Sequence, residues 1–398
     1  MSIAVSLGPW AARSQRYSAA MRLVETPPRY PPFTGGVENV AQAVCSRLVA
    51  DGDDVLVLCA DEPRNCADFG DGVPIRRLRW KWKIANTNIT LGLPWALIRE
   101  PWDVVHTHLP TPWSCDWSVL IARLLGRGSV VSFYNEIVGE GAADYAARLY
   151  RATFYRITLR LADRIIVVSD AWRDELGSLS PSIAAKITVI PTGVDLERFA
   201  APPRHGGTEL LFVGILDRFH RYKGLDVLLE ALSQLGEPFH LTVVGDGDLR
   251  GEYERQANQA GMADQVEFVG RISDDELRDR YAAAAIYVLP SDFSRQEGGF
   301  TLTALEAMAS GLPVILADGA GQISWEADDA GAGIRTPAGD AAALTQALKR
   351  LLGDAELRTK MGEAARAFAE RRHSWDAITK DRRELYREVS AEARARRR

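Results

Sequence analysis

Three stretches of the 398-residue chain carry residues able to hold a charged ligand. The first runs Val213-Gly214-Ile215-Leu216-Asp217-Arg218-Phe219-His220-Arg221-Tyr222-Lys223-Gly224, where an apolar run gives way to three cations and then to a helical pattern. Lys and Arg at the carboxyl end of a strand can clamp a diphosphate. A solvated basic loop explains the same residues without a ligand. The second stretch, Pro290 to Ile315, leaves a strand and passes through Glu297-Gly298-Gly299-Phe300-Thr301. It then enters an Ala-rich helix that Gly311-Leu312-Pro313 closes. Free N–H groups at such a helix start attract phosphate. Glu306, placed by pattern near the buried end of that helix, needs partners. Vicinal ribose hydroxyls would serve, and so would a structural salt bridge. The third stretch holds Gly35-Gly36 before a helical run. Two residues without Cβ let a ligand approach the backbone, and they also make a plain tight turn. His106 and His108 close an apolar strand, where they face a ligand or stay as satisfied core histidines. Val244-Gly245-Asp246-Gly247-Asp248-Leu249 lacks the third glycine of a dinucleotide fingerprint and follows an interior strand, so hydride transfer is weakly supported.

The elements that must position these residues follow from periodicity. Strands are expected at 21–26, 54–59, 103–107, 129–133, 164–168 and 187–190, then at 209–214, 240–244, 265–269, 286–289 and 313–316. Helical patterns lie at 37–50, 143–161, 224–235, 274–284 and 301–310, and the chain reads as helical after 338. Such alternation implies parallel sheets with helices on both faces. Eleven strands exceed one sheet of usual size, and Ala200 to Gly207 has the Pro- and Gly-rich composition of a linker. The expected class is therefore α/β, with two doubly wound domains facing a deep cleft. In 143–161, Tyr150, Phe154, Ile157 and Leu161 form one stripe, read as the buried face of a core-packing helix.

Composition narrows the class. Formal net charge is −5 and 25% of residues are charged, which excludes a generally basic nucleic-acid-coating chain. Four cysteines form no CxxC pair, which argues against a disulfide framework or zinc cluster and fits a reducing, cytoplasmic setting. No apolar run approaches the roughly 18 residues needed to span a bilayer. Residues 1–20 lack a basic segment before their short apolar stretch, unlike a signal peptide, and are read as an extension without function, either untranslated, with Met21 as the start, or a frayed, disordered N-terminus. Ile75-Arg76-Arg77-Leu78-Arg79-Trp80-Lys81-Trp82-Lys83 alternates cations with tryptophans. That pattern suits an anionic lipid interface or a charge-protected edge strand.

Taken together, the chain from Met21 onward resembles a family 4 glycosyltransferase of the GT-B fold. The resemblance rests on Pro31-Pro32-Phe33-Thr34-Gly35-Gly36-Val37-Glu38, Val104-Val105-His106-Thr107-His108, and Ile190-Pro191-Thr192-Gly193-Val194-Asp195 with Phe199. It rests also on Val266-Glu267-Phe268-Val269-Gly270, Glu297 to Ile315, and the terminal Ser374-Trp375-Asp376 helix. It implies an acceptor-side domain at 21–200, a nucleotide-sugar-binding domain at 208–373, and a last helix, 374–398, that crosses back to the first domain and ends in a basic tail. The family moves a sugar from a nucleotide-sugar to an acceptor hydroxyl, with retention and usually without a metal. Carried over by position, Lys223 neutralises the donor diphosphate with Arg218 as a second partner. Gly298, Gly299, Phe300 and Thr301 offer N–H groups, and Glu306 binds the ribose. Arg271 and Ile272 border the base, Glu297 contacts the donor sugar, and Gly35 and Gly36 close over the diphosphate. His106, His108 and Tyr134 are candidate sugar contacts. No cofactor or metal is expected beyond the co-substrate. The expected partners are a UDP- or GDP-sugar, a glycan or lipid-linked acceptor and an anionic membrane surface near residues 75–95, with no nucleic acid.

The sequence departs from the family at three places. The family's usual Arg position is occupied by Ile215, although some members carry a loop like Leu216-Asp217-Arg218-Phe219-His220. Eight residues rather than seven separate Glu297 from Glu306, an insertion that Gly298-Gly299 could absorb as a bulge. Tyr134 stands where the family often has His, and a tyrosine carries no charge near neutral pH. Two rival readings follow: a degenerate nucleotide-sugar-binding subunit, and a GT-B-fold epimerase acting on a nucleotide-sugar.

Overall fold

The computed structural model describes residues 21–33, 35–66, 70–84, 87–134, 142–200, 207–292 and 302–398. Its contacts divide the chain into two units, each built on one parallel sheet.

Unit 1 contains the described residues through Pro191 together with Trp375–Arg398. Its elements are β1 (Arg22–Thr26), α1 (Gly36–Ala50), β2 (Asp54–Ala60), β3 (Ile75–Leu78), a small hairpin of β4 (Trp82–Ile84) and β5 (Thr87–Ile89), and α2 (Leu93–Arg99). There follow β6 (Val104–Leu109), α3 (Pro112–Leu125), β7 (Gly128–Phe133), α4 (Ala142–Ala152), α5 (Phe154–Leu161), β8 (Arg164–Val167), α6 (Asp170–Leu179), α7 (Pro181–Ala184) and β9 (Ile187–Val189). The seven-stranded sheet has the order β3-β2-β1-β6-β7-β8-β9. β6 and β7, in the middle of the sheet, are buried throughout, including the polar His106, Thr107, His108, Ser129 and Ser132.

Unit 2, Thr192–Ser374, contains β10 (Glu209–Val213), a 3₁₀ turn (Arg218–Lys223), α8 (Leu225–Ser233), β11 (His240–Val244), α9 (Arg250–Gln259) and β12 (Val266–Gly270). Then come α10 (Asp274–Ala283), β13 (Ile286–Leu289), α11 (Leu302–Ala309), β14 (Val314–Ala317), α12 (Gln322–Asp329), β15 (Gly333–Thr336), α13 (Ala341–Leu352) and α14 (Ala355–His373). The strand order β12-β11-β10-β13-β14-β15 reverses direction between β10 and β13. A final helix, α15 (Trp375–Arg397), belongs to unit 1, where it packs on α1, β6 and β7.

Several sequence expectations change. The division between units falls after Pro191, ahead of the Pro- and Gly-rich stretch after Ala200. Residues 192–199 already belong to unit 2: Val194 N–H donates to the His373 carbonyl at 2.7 Å, and Phe199 sits in that unit's core. The 143–161 segment is two helices. Thr153 breaks it, its backbone out of helical geometry and its hydroxyl bonded back to the Leu149 carbonyl at 2.7 Å. The break rotates the second piece, so Tyr155, Thr158 and Leu159 are buried while Phe154 and Ile157 face solvent. The cation–tryptophan stretch is in part an edge strand, β3, whose charges are engaged within the unit. Arg76 pairs with Glu100 at 2.6 Å and Arg77 donates to the Pro31 carbonyl; just beyond β3, Lys83 pairs with Glu62 at 2.9 Å. The short strand β15 escaped the periodicity because a glycine and an arginine interrupt its apolar signal.

Candidate functional site

Ligands of doubly wound sheets sit beyond the strands' carboxyl ends, where the strand order reverses. In unit 2 that point lies between the segments that leave β10 and β13. A Cβ on Gly214, just past β10, would lie 2.7 Å from Lys223 Cδ and 3.3 Å from Nζ, so the lysine chain lies across this glycine. At Gly224 the backbone has φ +75°, and a Cβ would meet the Pro290 carbonyl oxygen at 2.2 Å. Only glycine lets the 3₁₀ turn press onto the end of β13. Asp292 N–H, donating to the Tyr222 carbonyl at 2.7 Å, fixes the same junction.

The three cations of the first stretch have separate fates. Arg218 is exposed and pairs with Asp248 at 3.1 Å, and Arg221 pairs with Glu252 at 3.1 Å. Among the described residues Lys223 has no ion-pair partner. Burial lowers its pKa to about 8, opposed by the charges of Asp217 and Glu306. Asp217 caps the turn and holds His220 Nδ1 at 2.6 Å. Glu306, on α11, is only partly buried, and Tyr281 Oη donates to its Oε2 at 2.9 Å. Burial raises the Glu306 carboxyl to about 6, against the pull of Tyr281, Arg198 and Lys223. The site therefore gathers one desolvated cation and one easily protonated carboxylate, each within reach of the other's field. Arg198, paired with Asp274 at 3.0 Å, is a neighbour of Glu306 that its sequence context did not flag. Arg271 is exposed after β12, with Ile272 half-buried beside it. Glu297, Gly298, Gly299, Phe300 and Thr301 lie outside the described residues.

In unit 1 the order reverses between β1 and β6. The segment after β1 leads to Gly35 and Gly36 at the start of α1. A Cβ on Gly35 would lie 2.3 Å from Glu38 Oε2. That carboxylate is buried beneath the helix start, with Arg29 Nε at 2.9 Å, so an anion arriving here shares the helix start with a neutralised acid.

His106 and His108 require a correction. Both are fully buried and turned to Glu25, at 2.9 Å from His106 Nδ1 and 2.6 Å from His108 Nε2, so neither ring is presented to a sugar. Tyr134 stacks on His108 with ring centroids 5.8 Å apart and its hydroxyl buried, so it too is withdrawn. His106 Nε2 meets Ser132 Oγ at 2.8 Å, and Tyr386 Oη lies 2.9 Å from His106 Nδ1. Burial drops His106 to about 4 and keeps it neutral. Glu25, which burial alone would raise, is drawn down to about 2 by the two histidines. Among the described residues, Glu25, His106 and His108 are the one trio of His, Cys, Asp or Glu close enough to suggest a metal. Their 2.6–2.9 Å nitrogen–oxygen distances are those of shared protons. Two ligands about 2.1 Å from a tetrahedral ion would stand farther apart. The fully buried Arg382 also feels the Glu25 charge and supplies the compensating cation. Sequence reading missed this network, although Arg382 falls in the apolar stripe Ile378, Leu385, Tyr386, Val389 and Glu25 interrupts an apolar strand.

The comparisons with known proteins fit this architecture. The profile "Glycosyl transferases group 1" matches residues 195–368, and "Glycosyltransferase Family 4" matches residues 34–198. The D-inositol 3-phosphate glycosyltransferase of Xylanimonas cellulosilytica is 31% identical over 322 residues, 75% of each chain. The D-rhamnosyltransferase of Pseudomonas aeruginosa is 28% identical over 84% of this chain and 87% of its own. An Anabaena protein solved in complex with UDP superposes with a TM-score of 0.69 at 17% identity, covering 92% of this chain and all of that one. The paired parallel sheets, the reversal points and these matches place the chain in the group 1, family 4 glycosyltransferases of the GT-B fold.

Proposed function

We propose that the chain transfers a sugar, with retention and without a metal, from a nucleoside diphosphate-sugar to a hydroxyl of a glycan or lipid-linked acceptor. The observation that carries this reading is Lys223: a desolvated ammonium lying across Gly214 at the unit 2 reversal point, with no acidic partner among the described residues. Breaking the anomeric bond leaves negative charge on the departing diphosphate, and a preorganised cation in a desolvated site stabilises that charge. Lys223 takes this role. Arg218 is too exposed and too engaged with Asp248 to share it without rearranging. Glu306, ionised above pH 6, accepts hydrogen bonds from the ribose hydroxyls and orients the donor. Arg271 and Ile272 border the base, and Glu297 to Thr301 contact the sugar and phosphates. Gly35 and Gly36, at the start of α1, offer backbone N–H groups to phosphate.

A UDP- or GDP-sugar is the proposed donor, supported by the Anabaena relative solved with UDP. The rhamnosyl- and inositol-phosphate-directed relatives support a role in polysaccharide or glycolipid synthesis. Contact with an anionic membrane belongs to the same reading. No described helix is long and apolar enough to cross a bilayer.

The test is a thermal-shift and turnover screen against UDP-, GDP- and ADP-sugars, with EDTA present and absent. One donor should stabilise the protein by about 2.7 kcal/mol at a hundred times its Kd. Lys223→Ala should lower kcat about 100- to 1,000-fold, the scale of losing one preorganised charge-stabilising group. Glu306→Ala should mainly raise the donor Kd. NMR should show the donor's anomeric configuration kept in the product. Binding without turnover on any glycan or lipid acceptor would instead indicate a degenerate binding subunit.

A further inference from the structure

At the amino edge of the unit 1 sheet, opposite the segments discussed so far, lies a cavity of about 240 Å³ lined mainly by cations. Arg123 comes from the last turn of α3, Arg160 from the last turn of α5, and Arg396 from the last turn of α15. Arg164 opens β8, and Lys186 stands just before β9. Asp163 is the one carboxylate in the lining, and it is already taken by the Ser129 N–H at 2.9 Å and by Arg396 at 2.7 Å. Glu392, outside the lining, takes Arg164 at 2.5 Å. Lys186 Nζ donates to the Arg160 and Ala162 carbonyls at 2.5 and 2.8 Å, which satisfies hydrogen bonds but not charge. Arg123, Arg160 and Lys186 thus converge with no carboxylate of their own among the described residues. Cations at helix ends are ordinary, since they offset the helix dipole. That accounts for Arg123 and Arg160 singly, but it does not call for a cavity between five of them. Burial and the charges of Arg123, Arg396 and Arg164 all push Lys186 below the usual lysine pKa, against the pull of Asp163.

The helices that carry these cations also expose apolar side chains. Leu120 lies one turn before Arg123 and Leu124, and Leu124 is 74% exposed. Ile157 precedes Arg160 and Leu161 by one turn at 49% exposure, and Phe154 is 63% exposed. The two helices, α3 and α5, pack together, so both sets belong to one layer. Cations beside bare aliphatic and aromatic side chains match a phospholipid interface, where phosphate and hydrocarbon lie a few ångströms apart.

We propose that this cavity binds the phosphate of an anionic phospholipid, with Leu120, Leu124, Phe154 and Ile157 resting in the interfacial layer. The inference deepens the membrane part of the proposed function and moves it from the strand at residues 75–95 to the α3–α5 layer. It is independent of the donor site.

The experiment is co-flotation of the full-length protein with phosphatidylglycerol-containing vesicles. Its arms are neutral phosphatidylcholine vesicles, and competition by free glycerol phosphate. The variants are Arg123→Glu/Arg160→Glu, Leu124→Ser/Ile157→Ser and, as a contrast, Arg79→Glu/Lys81→Glu. Donor-induced thermal shift, expected unchanged in all three, shows that each variant is folded. The proposal expects binding to anionic vesicles alone, a loss of roughly tenfold or more with the first pair, and retention with the contrast pair. Loss only in the contrast pair would overturn the cavity while keeping a membrane contact at the strand. Binding of glycerol phosphate without vesicle binding would overturn the lipid assignment. No vesicle binding by wild type would overturn both membrane readings and leave the transferase reading untouched.

Discussion

Lys223 and Glu306 set a pH window that neither would set alone. Glu306 loses its charge as pH falls through about 6, and Lys223 loses its charge as pH rises through about 8. Donor affinity should therefore be highest between these values and weaken on both sides. Titration calorimetry across pH 5–9 measures this. Lys223→Arg should abolish the alkaline limb, because a guanidinium stays charged there. Tyr281→Phe should shift the acidic limb upward, because it removes the hydroxyl that stabilises the ionised Glu306. Lys223 was legible because it stands beside Gly224 in the turn after a strand end, and Glu306 because the helical pattern put a carboxylate among the apolar residues of an Ala-rich helix. The different fates of the three cations were not legible: nothing in the order of residues says that Asp248 and Glu252 take Arg218 and Arg221 and leave Lys223 without an ion-pair partner among the described residues. His106 and His108 show the converse. A strand-end His-x-His reads as functional or structural with equal ease, and Glu25, eighty residues away in sequence, decides the matter.

Most strands and helices were readable from periodicity, because continuous apolar runs and amphipathic segments alternate regularly. The failures occur where local chemistry overrides period. Thr153 interrupts a helix whose apolar stripe looks continuous, and its hydroxyl bond to Leu149 turns half of that stripe outward. At α15 the pattern was right but its meaning was hidden. Arg382 lies in the apolar stripe and is fully buried. Arg382→Met should cost about 3–5 kcal/mol, since it leaves the Glu25 charge buried without its cation. Chemical denaturation followed on the unit 1 transition measures this, and a loss under 1 kcal/mol would show that the hydrogen bonds of the two histidines suffice to hold Glu25. His106 adds a pH dependence of known sign. Its folded pKa of about 4 lies below the free value of 6.5, so the unfolded chain binds the proton more readily. Its contribution to stability is complete above about pH 6.5 and is lost as pH falls toward 4. His373, buried in unit 2 and also lowered to about 4, imposes the same trend there.

At the scale of the molecule, the chain makes unit 2 from one continuous segment and unit 1 from two. The paired-sheet architecture was expected from the number of strands and the recurring motifs. The boundary was displaced because composition marks where a chain is loose, whereas the division depends on which residues pack. The two segments that leave unit 2 do so side by side, with Val194 bridged to Ser374 and His373 Nδ1 2.9 Å from the Thr192 carbonyl. Unit 1 needs α15 for Arg382 and Tyr386 to reach Glu25 and His106. These residues follow all of unit 2 in the chain. Domains generally fold in the order of synthesis, but here the order should invert. Nascent chains stalled just after the codons for α14 and a tethering linker should resist protease across 192–374 while the earlier half is still cleaved. The unit that is begun first is thus completed after the other, and a stop codon introduced at the start of α15 would spare unit 2 and cost unit 1 its buried cation.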